Sequence, residues 1–269
     1  MKKSILLSGL LLMVTSLCGC GDNSKTIRVG ASPSPHADIL NSSMVKQYVE
    51  SKGYNLKVIE YQDYVTPNKA LNDEGIDANY FQHIPYLNEE VSSKNYQISP
   101  ACTVHYEPLN LYAKNEINDY TNKKISIVND VSNVERALAL LKANSLIDDY
   151  NMEGFNAQRP NDYVSGSVVT LECIDPGLLA NKVNDDGIAI IPGNYALNAW
   201  GASLATTYKR FGETKEVAGQ KANIIAVKTI NLQSEKTKVL CEALAQESVQ
   251  TFIEDTYGPT VVYSYEYLG

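Results

Sequence analysis

The amino-acid sequence predicts an α/β protein of two lobes, each a mixed sheet flanked by helices, with two crossover segments between them. Short apolar runs alternate with amphipathic helical patterns, which is typical of βαβ units. These units form two separate groups, joined by extended segments at residues 104–113 and 222–227. The roughly 250 residues that remain after the leader suffice for one large domain or two of ordinary size.

The first lobe is predicted to begin with a βαβ unit. Strands at Thr26–Ala31 and at residues 55–61 flank a helix at residues 37–52. We expect the chain to leave this lobe and to return to it later, because a second group of units lies in the middle of the sequence. The predicted boundaries are residues 26–108 and 224–269 for lobe 1 and residues 109–223 for lobe 2.

A dense run of helix signals follows in the first lobe. Thr66 and the proline after it are an N-cap and a first-turn residue, and residues 73–75 end this short helix. A brief buried strand is predicted at residues 76–78. The polar and aromatic residues 79–83 then lie at the carboxyl end of that strand, before Pro85 opens the next helix.

The second lobe repeats the alternation of strands and helices. Strands are predicted at residues 124–128, 168–172 and 187–192, with a helix near residues 133–143 after the first of them. Residues 144–167 are polar and irregular, with glycine, proline, asparagine and aspartate, which predicts a long surface excursion.

The first twenty residues indicate export. A basic start, MKK, precedes an apolar stretch at residues 4–16, which at about 20 Å as a helix is too short to span a hydrocarbon core. It therefore predicts a signal peptide, residues 1–19. The sequence LCGC resembles a bacterial lipobox, in which Cys20 would be diacylated and would tether the protein by a stem at residues 20–25 to the outer face of the cell membrane. The alternative is an ordinary signal peptide cut near Gly21.

Charge and cysteine content exclude several function classes. Removal of Lys2 and Lys3 with the leader leaves 21 basic and 31 acidic residues, a net charge of −10, which argues against a nucleic-acid partner. Cys102, Cys173 and Cys241 form no CxxC pair and no even-numbered disulfide framework. We therefore expect each of them to be a small buried residue. The three histidines lack a nearby carboxylate or thiol at ligand spacing, so neither a metal nor a cofactor is predicted.

The segment DYVTPNKALNDEGIDANYFQHIPY, residues 63–86, is the strongest candidate for a small-molecule site, because ligands of open α/β sheets bind beyond the carboxyl ends of strands. It resembles the DYxxPNxAL and IDANxFQHxPYL signatures of the NlpA/MetQ lipoprotein family. By their residue types alone, Phe81 would be core and His83 a satisfied polar residue. The resemblance implies a periplasmic-binding-protein-like fold in which both form the pocket for a ligand side chain. Tyr64 and Tyr86 flank them and would close an aromatic box, which suits a thioether.

The run VNDVSNVERA, residues 128–137, is the second candidate. Asp130 and Ser132 are capping residues, so Asn133 and Arg136 lie one turn apart near the positive end of a helix. Arg136 is either a solvated helix residue paired with a neighbouring glutamate or an anion ligand. The run resembles the family's PNDxTNxxRAL, which implies that Arg136 binds the carboxylate of an amino acid through its planar fork.

Further candidates follow from the same resemblance. His105, in HYEP on the predicted crossover, either touches ligand or sets the hinge geometry. Asn194 and Asn223 match family positions that bind the polar head of the ligand. Pro192 replaces the first asparagine of the family pattern INGNYA, and proline has neither a side-chain amide nor a backbone N–H. His36 matches the family's GPHAE, for which we expect a capping role at the first helix.

These observations favour a lipid-anchored binding protein that delivers methionine, a related amino acid or a short peptide to an ABC permease and its ATPase. A secreted two-lobed enzyme is the main alternative, but GxSxG and HExxH are absent from the sequence, as is a Cys/His pair with supporting context. An adhesin with a vestigial cleft is the third possibility. The prediction is therefore a binding protein and not an enzyme.

Overall fold

The computed structural model describes residues 23–269, so the predicted leader, Cys20 and most of the stem lie outside the described residues. Residues 23–269 form thirteen strands. These are β1 (Thr26–Ala31), β2 (Asn55–Glu60), β3 (Ala78–His83), β4 (Ile98–Tyr106), β5 (Asn110–Tyr112), β6 (Lys124–Ile127), β7 (Asp149–Tyr150), β8 (Val164–Ser165), β9 (Thr170–Cys173), β10 (Ile188–Ile191), β11 (Lys209–Gly212), β12 (Asn223–Lys228) and β13 (Val262–Tyr267).

The same range contains ten α-helices, none long and apolar enough to cross a membrane. Helix α7 is interrupted at Gly201, whose φ of 68° suits glycine. The helices are α1 (Asp38–Asn41), α2 (Ser43–Ser51), α3 (Thr66–Asn72), α4 (Ile84–Lys94), α5 (Val131–Ala143), α6 (Pro176–Asn184), α7 (Gly193–Tyr208), α8 (Lys215–Gly219), α9 (Glu235–Leu244) and α10 (Glu247–Tyr257).

The first sheet has six strands in the order β13-β4-β12-β3-β1-β2. β1 is parallel to β2 and β3, whereas β12 is antiparallel to β3 and β4. The amino end of β12 therefore lies beside the carboxyl ends of its two neighbours. As a result, Asn223 pairs with both His83 and His105 at one edge of the sheet.

The second sheet has five strands in the order β11-β5-β10-β6-β9, and β7 and β8 form a separate small hairpin. β6 is parallel to β9 and β10, and β5 is antiparallel to β10 and β11. Helix α5 follows β6, and α7 follows β10. Both helices therefore begin at the carboxyl edge of this sheet, where ligands of α/β proteins bind.

Each sheet has its own hydrophobic core, so the molecule has two lobes. In the first lobe both faces of the sheet are covered, as β12 shows. Ile225 faces a large core shared with α1, α2, α9 and α10, and Ile224 faces a smaller core under α3 and α4. The second core packs α5, α6 and α7 against the second sheet. Helix α7 contacts both lobes, with Ala196 in the second core and Leu197 in the first.

Two predicted elements of the first lobe are wrong in extent. The predicted strand at residues 76–78 is displaced, because β3 covers Ala78–His83 and residues 79–83 are strand rather than loop. All six residues of β3 are buried, and its polar side chains find partners inside the protein. The predicted helix at residues 37–52 is divided into α1 and α2 at Ser42, whose ψ of 149° is extended.

The connections between the lobes are short. The chain leaves the first sheet after β4 and enters the second at β5, and it returns through residues 213–222. Residues 223–228 are thus strand β12 of the first sheet rather than a crossover. The exact lobe boundaries stay a prediction, although Asn223, assigned by prediction to the end of lobe 2, is the first residue of β12.

Candidate ligand-binding site

A cavity of about 30 Å³ lies between the lobes, at the facing edges of the two sheets. Eight of the nine ligand-binding residues predicted from sequence line it, and His105 does not. Their roles in binding remain predictions. The lining residues are Tyr64, Phe81, Gln82, His83, Tyr86, Glu107, Asn133, Arg136, Pro192, Gly193, Asn194 and Asn223.

Aromatic rings form the first-lobe wall of the cavity. The ring centroid of Tyr64 lies 5.8 Å from those of both Phe81 and Tyr86, and Tyr195 approaches from the second lobe at 5.1 Å. Tilted and edge-to-face pairs at such distances are favourable for aromatic rings. The Tyr64 hydroxyl also donates to Asn194 Oδ1 at 2.7 Å, which joins the two lobes.

Phe81 lies in the cavity wall because of an irregularity in the sheet. Along the β3–β12 ladder, Ile225 pairs with Tyr80 and Ile224 pairs with Gln82, so the pairing skips Phe81. Bulges of this kind re-aim a side chain and are common beside functional sites. Sequence patterns do not reveal this register shift, which depends on the partner strand.

His83 connects the lobes on the opposite side of the cavity. Its Nδ1 accepts the backbone N–H of Tyr86 at 3.2 Å and so caps α4, while its Nε2 lies 3.2 Å from Asn133 Oδ1. This pattern defines a neutral ring with the proton on Nε2. Burial, together with the nearby Arg136 charge, lowers the pKa of His83 to about 3.

The second-lobe wall is built on the amino end of α5. Asp130 caps this helix by accepting the backbone N–H of Asn133 at 2.9 Å, as its sequence position predicts. Arg136 lies one turn further on and is 8% exposed. Its Nε and Nη2 donate to the two carboxylate oxygens of Glu213 at 2.6 and 2.5 Å, and Nη2 also donates to the Glu107 carbonyl at 2.7 Å.

The partner of Arg136 is therefore a distant glutamate. The alternative in which Arg136 is solvated and paired with a neighbouring glutamate of its own helix is wrong. Glu213 lies 77 positions away in the loop between β11 and α8, so no local pattern could reveal it. The pair is buried and bidentate, which fixes the guanidinium plane. Within residues 23–269, no hydrogen bond occupies the Nη1 group of Arg136, which leaves it for a ligand.

Three buried amides support the first-lobe wall from behind. Asn68 Oδ1 accepts from Gln82 Nε2 at 2.7 Å and from Asn79 Nδ2 at 2.9 Å, and Asn68 Nδ2 donates to Gln82 Oε1 at 2.8 Å. Buried amides are stable only when they are paired in this way. The cluster fixes α3 against β3 and so orients Gln82, a lining residue that sequence reasoning did not select.

His36 does not cap the first helix, contrary to the prediction. It is 1% exposed, lies in a turn at Pro33–Ala37, and its Nε2 lies 3.2 Å from Asn223 Oδ1. The Asn223 amide oxygen is thereby occupied, so its Nδ2 group is the part left for a ligand. Burial and the adjacent His105 lower the pKa of His36 to about 4.

His105 lies behind the cavity and completes a buried network with Glu107. Its Nδ1 bonds the Tyr80 hydroxyl and its Nε2 lies 2.9 Å from Glu107 Oε1. Burial lowers the pKa of His105 to about 3. The expectation that no carboxylate lies near the histidines is wrong, because His36, His105 and Glu107 bring donor atoms within 4.8 Å. Both Nε2 atoms are engaged by oxygen atoms, so a metal bound through them would have to displace these hydrogen bonds.

The amino end of α7 supplies the last part of the wall. Pro192 occupies the N-cap position without a side-chain cap, and its carbonyl accepts the backbone N–H of Tyr195 at 3.1 Å. A Cβ on Gly193 would lie 2.4 Å from Glu107 Oε2, so only glycine lets α7 approach this carboxylate. The backbone N–H of Asn194, near this carboxylate, partly offsets the rise that burial causes in the pKa of Glu107.

Two lobes that close on a cavity with one aromatic and one polar wall define a substrate-binding protein. The chain belongs to the NlpA lipoprotein family, whose sequence model matches residues 27–264. It is similar to the methionine-binding lipoprotein MetQ of Bacillus subtilis, with 34% identity over 97% of this chain and 98% of that protein. The membrane lipoprotein TpN32 of Treponema pallidum is 30% identical over 87% of this chain and 86% of its own length.

Solved structures agree with this assignment. A nutrient-binding protein of Burkholderia cenocepacia, solved bound to methionine, has a TM-score of 0.77 and 29% identity, with 88% of this chain and 99% of that chain covered. Lipoprotein Tp32 of Treponema pallidum has a TM-score of 0.79 and 29% identity, with 89% and 99% covered. The predicted two-lobed substrate-binding fold is therefore confirmed.

Proposed function

We propose that this chain is the lipid-anchored substrate-binding protein of an ABC importer, and that it captures methionine or a related amino acid or short peptide by closure of the cleft. The observation that carries the proposal is the cavity between the lobes, where the Tyr64, Phe81 and Tyr86 rings lie opposite the Arg136 guanidinium. The names of the relatives support methionine as the first ligand to test.

The two walls divide the recognition of such a ligand. The aromatic rings would hold a thioether side chain, because sulfur packs favourably at ring edges. The Nη1 group of Arg136 would bind the ligand carboxylate, with Asn133, Asn194 and Asn223 supplying amide contacts to the polar head. Exclusion of water from the closed cleft would strengthen each of these charge-assisted bonds.

The structure has the cleft closed. The cavity has room for about two water molecules, which is too little for an amino acid, so the lobes must separate before binding. Opening would break the Tyr64–Asn194 and His83–Asn133 hydrogen bonds and release the side chains that hold the cleft shut. A ligand that binds more tightly to closed lobes than to open lobes would shift the equilibrium toward closure.

Ligand identity is tested on the purified protein without its leader. Mass spectrometry of ligand released by unfolding, followed by calorimetric titration of the ligand-free protein with L-methionine, would identify the ligand and its affinity. We expect methionine or a close relative among the retained compounds, with micromolar or tighter binding. Failure of every free amino acid and short peptide to bind would overturn the proposal.

The membrane attachment is a separate prediction, because Cys20 lies outside the described residues. If Cys20 is acylated, Cys20→Ala should move the protein from the membrane fraction to the soluble fraction without altering ligand affinity. Cys173→Ala, at a half-buried thiol of the folded domain, is the matched control and should leave the protein in the membrane fraction. A Cys20→Ala protein that stays with the membrane would contradict lipid anchoring at this site.

A further inference from the structure

Glu107 is a buried carboxylate in the cavity wall to which the proposed function assigns no role. It is 5% exposed and lies in the short connection between β4 and β5, where the chain passes from one lobe to the other. Its neighbours come from both lobes. His105 Nε2 lies 2.9 Å from its carboxylate, and the amino end of α7 approaches so closely that a Cβ on Gly193 would lie 2.4 Å from Glu107 Oε2.

The charges around the cavity do not balance without a further cation. Arg136 is the other formally charged lining residue, and its guanidinium is already paired with the buried carboxylate of Glu213. Among the described residues, the ion pairs of Glu107 are with His36, at 3.8 Å, and His105. Both histidines have pKa values far below 7, which makes them neutral hydrogen-bond donors rather than counter-ions.

An uncompensated buried carboxylate is costly and favours either protonation or a cationic partner. Burial does raise the pKa of Glu107, although His36, Arg136 and the Asn194 N–H each partly offset that effect. The carboxylate has acceptor sites beyond the one taken by His105. A cation that entered the cavity would therefore find an acceptor that the protein leaves incompletely satisfied.

From this arrangement we infer that Glu107 binds the α-ammonium group of the ligand, so that the site selects amino acids and peptides with a free amino terminus. The inference rests on the proposed function and adds to it the class of ligand. The ligand zwitterion would place its carboxylate on Arg136 Nη1 and its ammonium on Glu107. His105 would act as a positioning residue, because its Nε2–H holds the carboxylate and its Nδ1 is held by Tyr80.

The experiment compares two ligands that differ in the ammonium group alone. L-Methionine carries it, and 4-(methylsulfanyl)butanoate has the same carboxylate and thioether without it. Calorimetric titration of the wild-type protein should show about ten- to two-hundred-fold weaker binding of the deaminated compound, the range of a charge-assisted hydrogen bond. In Glu107→Gln, methionine should lose most of this advantage, and the two dissociation constants should differ by no more than about threefold.

Glu89→Gln is the matched control. Glu89 is a half-buried carboxylate at the contact between the lobes, where it accepts the Ser132 backbone N–H at 3.2 Å, but it does not line the cavity. Its substitution affects closure for both ligands equally, so the ratio of their dissociation constants should keep the wild-type value. Glu107→Asp keeps the charge and should retain part of the preference for methionine.

The outcomes separate the two proposals. If the wild-type protein binds methionine and the deaminated compound equally, Glu107 does not recognise the ammonium, and the proposed function still stands. If Glu107→Gln keeps the full wild-type ratio, another group recognises the ammonium and the inference is overturned. If Glu107→Gln does not fold, the wild-type ligand comparison and Glu107→Asp still decide. If neither compound nor any amino acid binds the wild-type protein, the proposed function itself fails.

Discussion

The two walls of the cleft differ in how they hold their functional groups. The first-lobe wall is aromatic and neutral, and its buried histidines and amides hydrogen bond within the lobe, apart from His83, which contacts Asn133 of the second lobe. The second-lobe wall carries a permanent ion pair, Arg136 with Glu213, on the amino end of α5. The first wall suits an apolar side chain and the second suits a carboxylate, while Glu107 lies in the connection between the lobes.

This difference also predicts a difference in pH sensitivity. All three histidines of the chain lie in the first lobe, on β3, β4 and the turn before α1. They are neutral because burial opposes their protonation, with pKa values of about 4, 3 and 3 for His36, His83 and His105. The second lobe contains no histidine, so this source of pH sensitivity belongs to the first lobe.

The largest expected effect is therefore acid destabilisation of the first lobe. In the unfolded chain these histidines take up protons below about pH 6.5, whereas in the folded protein they resist protonation until about pH 4. The free energy of unfolding therefore decreases as the pH falls through this window. Each histidine contributes a loss of about 1.4 kcal/mol per pH unit, and the three together about 4 kcal/mol per pH unit. The raised pKa values of three carboxyl groups, Glu107, Asp130 and Glu89, oppose this trend.

Urea unfolding at several pH values between about pH 7 and pH 5 measures how the free energy of unfolding changes with pH. Amide hydrogen exchange, corrected for intrinsic rates, shows which elements lose stability first. We expect amides of β3 and β4 to lose protection before those of α5. His36→Gln should reduce the slope by about one third, because it removes one of three similar contributions. A free energy of unfolding that stays constant over this range would contradict the neutral-histidine description of the first wall.

The next largest effect concerns the ion pair of the second wall. Arg136→Ala leaves the Glu213 carboxylate buried and unpaired, so we expect a loss of about 3 to 5 kcal/mol in the free energy of unfolding. Any ligand with a carboxylate should also bind about ten- to two-hundred-fold more weakly. The exposed pair of Arg159 and Asp162 offers a control, and Arg159→Ala should change stability by less than about 0.5 kcal/mol.

A double variant separates the two roles of Arg136. Replacing both partners by apolar residues, Arg136→Met with Glu213→Leu, removes the unpaired charge and should restore most of the lost stability. Ligand affinity should stay low, because the guanidinium is still missing. Recovery of binding in the double variant would show that Arg136 supports the fold alone and does not contact the ligand.

A smaller effect is expected at the aromatic wall. Phe81→Leu keeps an apolar side chain but removes the ring pairs with Tyr64 and Tyr86, each of which contributes about 0.5 to 1.5 kcal/mol. The variant should bind free L-methionine a few-fold to tenfold more weakly. Its affinity for free L-alanine should change less, because that ligand has no long side chain to contact the rings. Phe155→Leu, which alters the ring pair with Tyr163 away from the cleft, should leave both affinities unchanged.

The sequence predicts which residues form the first-lobe wall better than it predicts the buried strand and the amide partners that hold them in place. Phe81 and His83 lie in one short segment whose motif identifies them, and the structure places both in the cavity wall. The motif does not show that they belong to a fully buried strand, because polar residues such as Asn79 and Gln82 argue against burial until their amide partners are known. Tertiary pairing overrides local polarity in β3.

The groups that the sequence does not reveal depend on contacts between distant residues. His36 acquires its partner Asn223 from 187 positions away, and Arg136 acquires Glu213 from 77 positions away. Glu107 is close to His105 in sequence, but its place in the cavity wall follows from the approach of α7 at Gly193. Motif and periodicity carry no information on such pairings, so they emerge only from the fold.

The smallest predicted effect tests Pro192, which stands where the resembled family pattern INGNYA has its first asparagine. Pro192 begins α7 with φ −59° and ψ 144° and gives the helix no side-chain cap. Asparagine is a good N-cap residue, contributing about 0.5 to 2 kcal/mol, but loss of the proline ring frees the unfolded chain by about 0.4 to 1 kcal/mol, so we expect little net change in stability. If the new amide contacts the ligand head, Pro192→Asn should tighten methionine binding by a few-fold to tenfold, the range of one neutral hydrogen bond. Pro192→Ala removes the ring without adding an amide and should not tighten binding. Equal affinities for the two variants in calorimetry would show that Asn194 already supplies the polar contact and that the proline costs this site nothing.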